Sequence, residues 1–221
     1  MLWHTKDFKR VITNLFKGEF KMAISCGKLT SGIIGYDCEN PWVKGISPEL
    51  IIINFDEIDR ENSIVTADNV IKKIVTKGNA KAYKAELLDN SNSASSTYNP
   101  GTYIGTWAQT ISGRIFDNTP RVKKFLSDLA KSSVVVLVKY NYIKNNPKVD
   151  SGDVKGDTVY VAYGWNVGLK LLGDTSHDTS DTDSMGAWMF TVGTTDDSQE
   201  SVPPMSIFDT DLTQTEAMVS S

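Results

Sequence analysis

The stretch that most constrains this chain is NTPRVKKFLSDLAKSSVVVLVKYNY, from Asn118 to Tyr142. Thr119 is a residue type that caps helices, and Pro120 is favoured at the first helical position, where its missing N–H is no loss. Val122, Phe125, Leu126, Leu129 and Ala130 then recur at i, i+3, i+4, i+7 and i+8, with Arg121, Lys123, Lys124, Asp128 and Lys131 on the other side. This is the apolar stripe of a short surface helix. Ser132 and Ser133 end it, and Val134 to Val138 follow, VVVLV, β-branched and apolar at every position. Such a run suits a strand covered on both faces. The pair predicts a helix packed over a sheet to close one core.

Most of the remaining signals are strands. Leu50 to Phe55, Ile64 to Thr66, Val70 to Val75, Ala80 to Leu88 and Ala187 to Val192 are short β-branched or apolar runs bounded by polar turns. Thr102 to Phe116 is about 15 residues long, against the usual 5–6 for a strand, and long strands often project as hairpin arms. One face carries Tyr103, Trp107, Gln109, Ile111 and Ile115; the other carries Ile104, Thr106, Ala108, Thr110, Ser112 and Arg114. Thr158 to Leu172 reads as strand broken at Gly164 and Gly168, and it forms a hairpin with Ala187–Val192 across the acidic stretch 173–186. Polar stretches at 89–101 and 145–156 predict loops, the first of them projecting. The sequence from Thr194 onward reads as an extended, mobile tail with a weak helix at 213–219. The total is roughly eight strands and one helix, a mainly β chain forming a β-sandwich or barrel with one flanking α-helix. The expected organisation is a basic arm over 1–21, a single β domain over 22–205 and a tail over 206–221.

Charge separates the arm from the body. Residues 1–21 carry Lys6, Lys9, Arg10, Lys17 and Lys21 against Asp7 and Glu19, so the remainder is more acidic than the net −4 of the whole chain. The arm has a loosely amphipathic helical pattern that suits docking on a neighbouring subunit or plain disorder. Nothing in the balance marks a nucleic-acid binder. No apolar run approaches the ~20 residues of a membrane span, and no membrane partner is expected.

The residues that usually carry chemistry are sparse. G-x-S-x-G, P-loop, G-x-G-x-x-G and H-E-x-x-H patterns are all missing from the sequence. Cys26 and Cys38 are too few for a disulfide framework. With His4 and His177 they hold the residue types for Cys–His catalysis, but His4 falls in the arm and His177 in the acidic loop. Asp174, Asp178, Asp181 and Asp183 cluster in that loop. Carboxylates so placed can hold Ca²⁺, but the spacing departs from an EF-hand and its turn glycine is missing, so a solvated hairpin tip is favoured. Trp42, Trp107, Trp165 and Trp188 suit core or interface anchoring better than a sugar platform. A non-enzymatic protein with no cofactor and no metal is expected.

The order of elements resembles the tail tube proteins of long-tailed bacteriophages, in particular small virion proteins from phages of Bacteroidetes. The resemblance rests on MAISCGKLTSG from Met22, the DC pair Asp37-Cys38, LIIINFDEID from Leu50 and KAYKAE from Lys81. It rests too on the helix followed by VVVLV, the run from Gly164 to Leu169 and the closing DTDSMGAWMFTV segment. It covers about 22–205 and includes no catalytic motif; the 1–21 arm lies outside it. The resemblance implies a sandwich subunit that forms hexameric rings, stacked into a tube that passes DNA without binding it specifically, a fold also shared by type VI secretion tubes. It implies assembly in the host cytoplasm, a place in the virion tail, and other tail or neck proteins as partners. Head–tail connectors, tail-completion rings and capsid decoration proteins are the alternatives on a similar sandwich. A carbohydrate-binding module using the tryptophans is a further one, and an unrecognised hydrolase the least favoured. Within a ring, the basic helix face (Arg121, Lys123, Lys124, Lys131) is expected to meet the acidic loop (Asp174, Asp178, Asp181, Asp183) of a neighbour.

Overall fold

The computed structural model describes residues 44–78, 80–88, 91–102, 104–141, 160–180 and 186–208, with Thr215, Ala217 and Val219. The arm at 1–21, Cys26, Cys38, His4, Trp42, the polar stretch 145–156 and Asp181 and Asp183 lie outside the described residues.

VVVLV becomes the centre of the molecule. It forms most of β7 (Val134–Tyr140), and its five apolar residues are all buried. Beside it run β1 (Ile46–Asn54) and β8 (Tyr160–Tyr163), both antiparallel to it. Outward from β1 lies β4 (Tyr83–Glu86), paired Ile52 to Tyr83 and Glu49 to Glu86. Outward from β8 lie β12 (Met205–Ile207), β3 (Val70–Lys73) and β2 (Ile64–Val65). The seven-stranded order is therefore β2-β3-β12-β8-β7-β1-β4, with β12 parallel to β3 and every other pairing antiparallel.

A smaller sheet faces it. Its order is β10 (Ser176–His177), β11 (Trp188–Gly193), β6 (Thr106–Ile115), β5 (Ser93–Asn99), with β9 (Lys170–Leu171) also on β11. Leu50, Ile52, Val136, Val138 and Tyr163 of the large sheet meet Ile111, Phe190 and Val192 of the small one. The helix α1 (Pro120–Leu129) adds Leu126 and Leu129 to this core, with Val122 and Phe125 partly buried beside them. Strand alternation sends Ile51, Ile53, Val135, Leu137 and Ala162 to the opposite face, where Ile58, Ile207 and Val219 join them. Both faces of the large sheet are covered, and each fully buried Val, Leu or Ile there is worth about 1.5–3 kcal/mol. The chain is thus mainly β, two sheets facing each other with one continuous α-helix among the described residues.

Several expectations are corrected. Stretch 89–101, read as a projecting loop, contains β5, bonded to β6 from Ser93↔Ser112 to Asn99↔Thr106. Part of the acidic loop is β10, paired Ser176↔Met189 and His177↔Trp188. The tail expected from Thr194 is built into the fold: Glu200 exchanges backbone hydrogen bonds with Trp107, and β12 crosses the expected boundary at 205 to sit inside the large sheet. Thr215, Ala217 and Val219 are helical, within the stretch marked as a weak helix, and Thr215 and Val219 are buried. Ala130, counted in the helical stripe, is exposed. Thr119 makes no side-chain cap; its N–H and hydroxyl donate instead to the Asp117 carboxylate at 3.0 and 2.9 Å. Among the described residues twelve strands replace the roughly eight expected: β5 lies in a stretch read as a loop, β9 is split from β8 within Thr158–Leu172, and β10 and β12 are only two and three residues long.

Candidate functional site

The surface charges come first. Arg121, Lys123, Lys124 and Lys131 are all exposed, on and just after α1. Lys124 pairs with Asp128 one turn on at 2.5 Å, both side chains well exposed. An i,i+4 pair in solvent contributes only about 0.3–0.5 kcal/mol, so it leaves this face basic without locking it. Asp174 and Asp178 of the acidic stretch are exposed too, and Asp178 Oδ1 accepts from the Ser180 N–H and hydroxyl at 2.8 and 2.7 Å. The stretch is anchored near the start of α1: His177 stacks on Trp188 with ring centres 4.6 Å apart, and Trp188 Nε1 donates to Asn118 Oδ1 at 3.2 Å. The described ion pairs join Lys84 to Glu49 and Lys124 to Asp128, and neither joins the helix to the acidic stretch within this chain.

Beside α1 lies a groove of about 540 Å³. Ala85, Ile115, Val122 and Phe125 form an apolar floor, and Lys84, Glu86, Asp117 and Arg121 form a charged rim. One wall is β4, the last strand of the large sheet on this side. Its Tyr83 is 54% exposed, and Leu88 and Phe116 nearby in the chain also show large apolar surface to solvent. The opposite end of the same sheet is β2, where Ile64 is 51% exposed and Val65 is exposed as well. Open strand edges present unpaired N–H and C=O groups and template pairing with another chain. Among the described residues no strand lies beyond β4 or β2, and both outer strands carry exposed apolar side chains, while the faces between them are covered.

A buried polar clamp holds the turn between β8 and β9. Glu200 is 1% exposed; its Oε1 accepts from the N–H groups of Asn166 and Val167 at 2.8 and 3.1 Å, and its Oε2 from Asn166 Nδ2 at 2.9 Å. Gln109, also buried, accepts from Gly164 N–H at 2.8 Å and donates to the Val202 carbonyl at 3.2 Å. Arg60 lies over the rings of Phe55 and Trp165, 4.5 and 5.0 Å from their centres. Burial lowers the Arg60 pKa and the Glu200 charge opposes that shift. The clamp ties β6, the turn and the segment after β11 into one unit; every polar atom described in it serves a turn, as a structural network does.

The described tryptophans do not offer a platform. Trp165 is buried under Arg60, Trp107 leans on Tyr98 at 5.3 Å and 57°, and Trp188 is occupied by His177. His177 has this aromatic partner, and the cysteines that Cys–His chemistry would need lie outside the described residues. No group of three or more His, Cys, Asp or Glu with metal-holding geometry occurs among the described residues. No helix among them is long and apolar enough to cross a membrane.

Sequence reasoning missed the two edges, because exposed Ile64, Val65 and Tyr83 look like ordinary core residues in a β-rich stretch. It missed Glu200, whose acidic neighbourhood Asp196-Asp197-Ser198-Gln199 gives no sign of burial. Comparison with protein-family models, curated proteins and solved structures gave no match.

Proposed function

We propose that this protein is a structural virion protein: a tail tube subunit that forms stacked hexameric rings around a channel passing DNA, with no catalytic role. What carries the reading is the pair of outer strands of the large sheet, β4 and β2, beyond which no strand lies among the described residues and which bear exposed apolar residues, on a sandwich whose large sheet is covered on both faces. A subunit of that kind suits sideways association, and repeated head-to-tail contacts form a ring where the rotation per step closes the circle. The resemblance noted from Met22 onward supports the same reading. An acidic body suits a channel that must not hold phosphate. Self-association, other tail or neck proteins and a place in the virion tail belong to this proposal.

The test is electron microscopy of the purified chain across a concentration series. Sixfold rings or tubes are expected. A monomer that persists at high concentration would sink the proposal. Rings that never stack would move it to a connector, tail-completion or decoration role on the same sandwich.

A further inference from the structure

We propose that the stacked pair His177 and Trp188 is a pH-sensitive fastener, which on the acid side of neutrality grips β10 more tightly against β11 and the start of α1. The ring reading neither supports this nor depends on it.

Three contacts fix the geometry. β10 pairs with β11 through His177↔Trp188, so the two side chains leave the ladder on one face. Their rings stack with centres 4.6 Å apart and planes 29° from parallel. The indole Nε1–H donates to Asn118 Oδ1 at 3.2 Å, just ahead of Pro120 at the start of α1. Both side chains are half-buried, so a proton reaches the imidazole without opening the fold. A histidine ordinarily exchanges its proton near pH ~6.5, and other unperturbed side chains keep their charge between about pH 5 and 8. The imidazolium is a cation over an indole, the aromatic face that holds cations best. The stack already lies within the roughly 6 Å over which that attraction acts.

The charges in the neighbouring segments favour the same form. Asp174 and Asp178 lie on its own stretch, Asp178 next to it in the chain. β11, WMFTVG, carries no charged residue. On β6, Ile115 stands opposite Trp188, while Arg114 stands opposite Met189 and so belongs to the other face of the sheet. Ahead of α1, Asp117 accepts from Thr119, and Arg121 follows in the first turn of the helix. The described ion pairs leave His177 out. Contacts that favour the protonated ring make the grip strongest at acid pH and release it as pH rises through the titration. The segment so fastened carries Asp174 and Asp178, so the proton governs how firmly the acidic stretch is held beside α1.

Hydrogen exchange of the full-length chain tests this, with every variant checked for folding by circular dichroism. The β10 amides are compared at pH ~5.5 and ~7.5, either side of an ordinary histidine titration, after correction for the intrinsic pH dependence of exchange. Protection should be about two- to fivefold greater at the lower pH. His177→Gln should remove that difference. His177→Phe keeps a stacked ring that takes no proton, and its protection should be the same at both pH values. The chain has two histidines, and His4→Gln should leave the parent's difference intact. Where β10 exchanges too fast to time, the Trp188 indole N–H resonance replaces it: it should titrate in the parent and stay fixed in His177→Gln. A pH difference that survives in His177→Gln, one that vanishes in His4→Gln, or protection that falls toward acid would each overturn the fastener.

Discussion

Asn166 meets Glu200 twice, its backbone N–H donating to Oε1 at 2.8 Å and its Nδ2 to Oε2 at 2.9 Å. With Val167 N–H also donating to Oε1, one buried carboxylate satisfies three donors of a single turn. Glu200→Ala removes the one acceptor those donors share; Asn166 is exposed and Val167 half-buried, so water reaches part of the turn, but hydrogen bonds to a charged group are worth about 1.5–3 kcal/mol. A loss of at least ~2 kcal/mol in urea unfolding is therefore expected, with the slope of the transition preserved. A loss under about 0.5 kcal/mol, the range of ordinary surface substitutions, would show that the clamp is dispensable.

Gly168 should tolerate no side chain. Its φ is +77°, and a Cβ there would fall 2.1 Å from Ser133 Oγ and 3.0 Å from a Phe55 ring carbon. Gly168→Ala adds left-handed backbone strain of about 1–2 kcal/mol to that clash. Gly173, where a Cβ meets nothing within 4 Å, is the control, and Gly173→Ala should melt within a degree or two of the parent. Equal melting of the two variants would contradict the turn geometry.

Tyr163 and Tyr140 share a hydrogen bond, Oη to Oη, of 2.7 Å. Burial, then the Tyr140 charge, then this bond push the Tyr163 pKa far above its ordinary value. A raised folded pKa stabilises fully below the unfolded value near 10, and that contribution is lost as pH rises beyond it. Stability should thus fall above pH ~10, with Tyr163 supplying up to about 1.4 kcal/mol per pH unit. Tyr163→Phe should flatten that slope by the same amount. Parallel slopes in alkaline denaturation series would refute the assignment.

Charge reversal at Lys123 and Lys124 should weaken assembly and leave the monomer folded. The Lys124–Asp128 pair it breaks is exposed, and its loss costs no more than about 0.5 kcal/mol. Thermal melting should hardly move while light scattering falls. Unchanged scattering would return α1 to the plain role of a lid on the core.

Removing 93–99 should unfold rather than merely disable. Those residues are an entire strand, and Ala94 packs against the core. Their loss bares β6 along most of its length, so the melting temperature should drop by about 5 °C or more. A deletion variant that melts like the parent would restore the loop reading of this stretch.

The sequence spoke clearly where burial was heavy and one-sided signals were long. Val134 to Val138 could only be a strand covered twice, and the stripe from Val122 to Leu129 could only be a helix on a core. The alternation expected for Thr102–Phe116 survived over the ten residues Thr106–Ile115 that form the strand: Gln109 and Ile111 are buried and Thr110 and Ser112 half-buried. Signals failed where tertiary context replaced composition. Ser93–Asn99 is strand because β6 offers it a ladder, though Ser, Thr and Asn would as readily form a turn. Met205–Ile207 is three residues long, too short for any periodicity to register. The candidate interface was half legible: the basic residues of α1 stand out in the sequence, whereas the edges depend on which strands end a sheet.

The position of β12 bears on how the chain is made. This late strand lies between β3 and β8, and no other strand in the sheet order joins the two. A nascent chain that has emerged only as far as 200 holds β2 and β3 apart from the rest of the sheet, with a vacant slot flanked by two sticky ladders. The sheet can zip shut only after Met205–Ile207 has left the ribosome. Until then the unfilled slot presents unpaired ladders on both sides, the kind of edge that templates pairing with other chains, so a chain cut short before Met205 would be prone to aggregate.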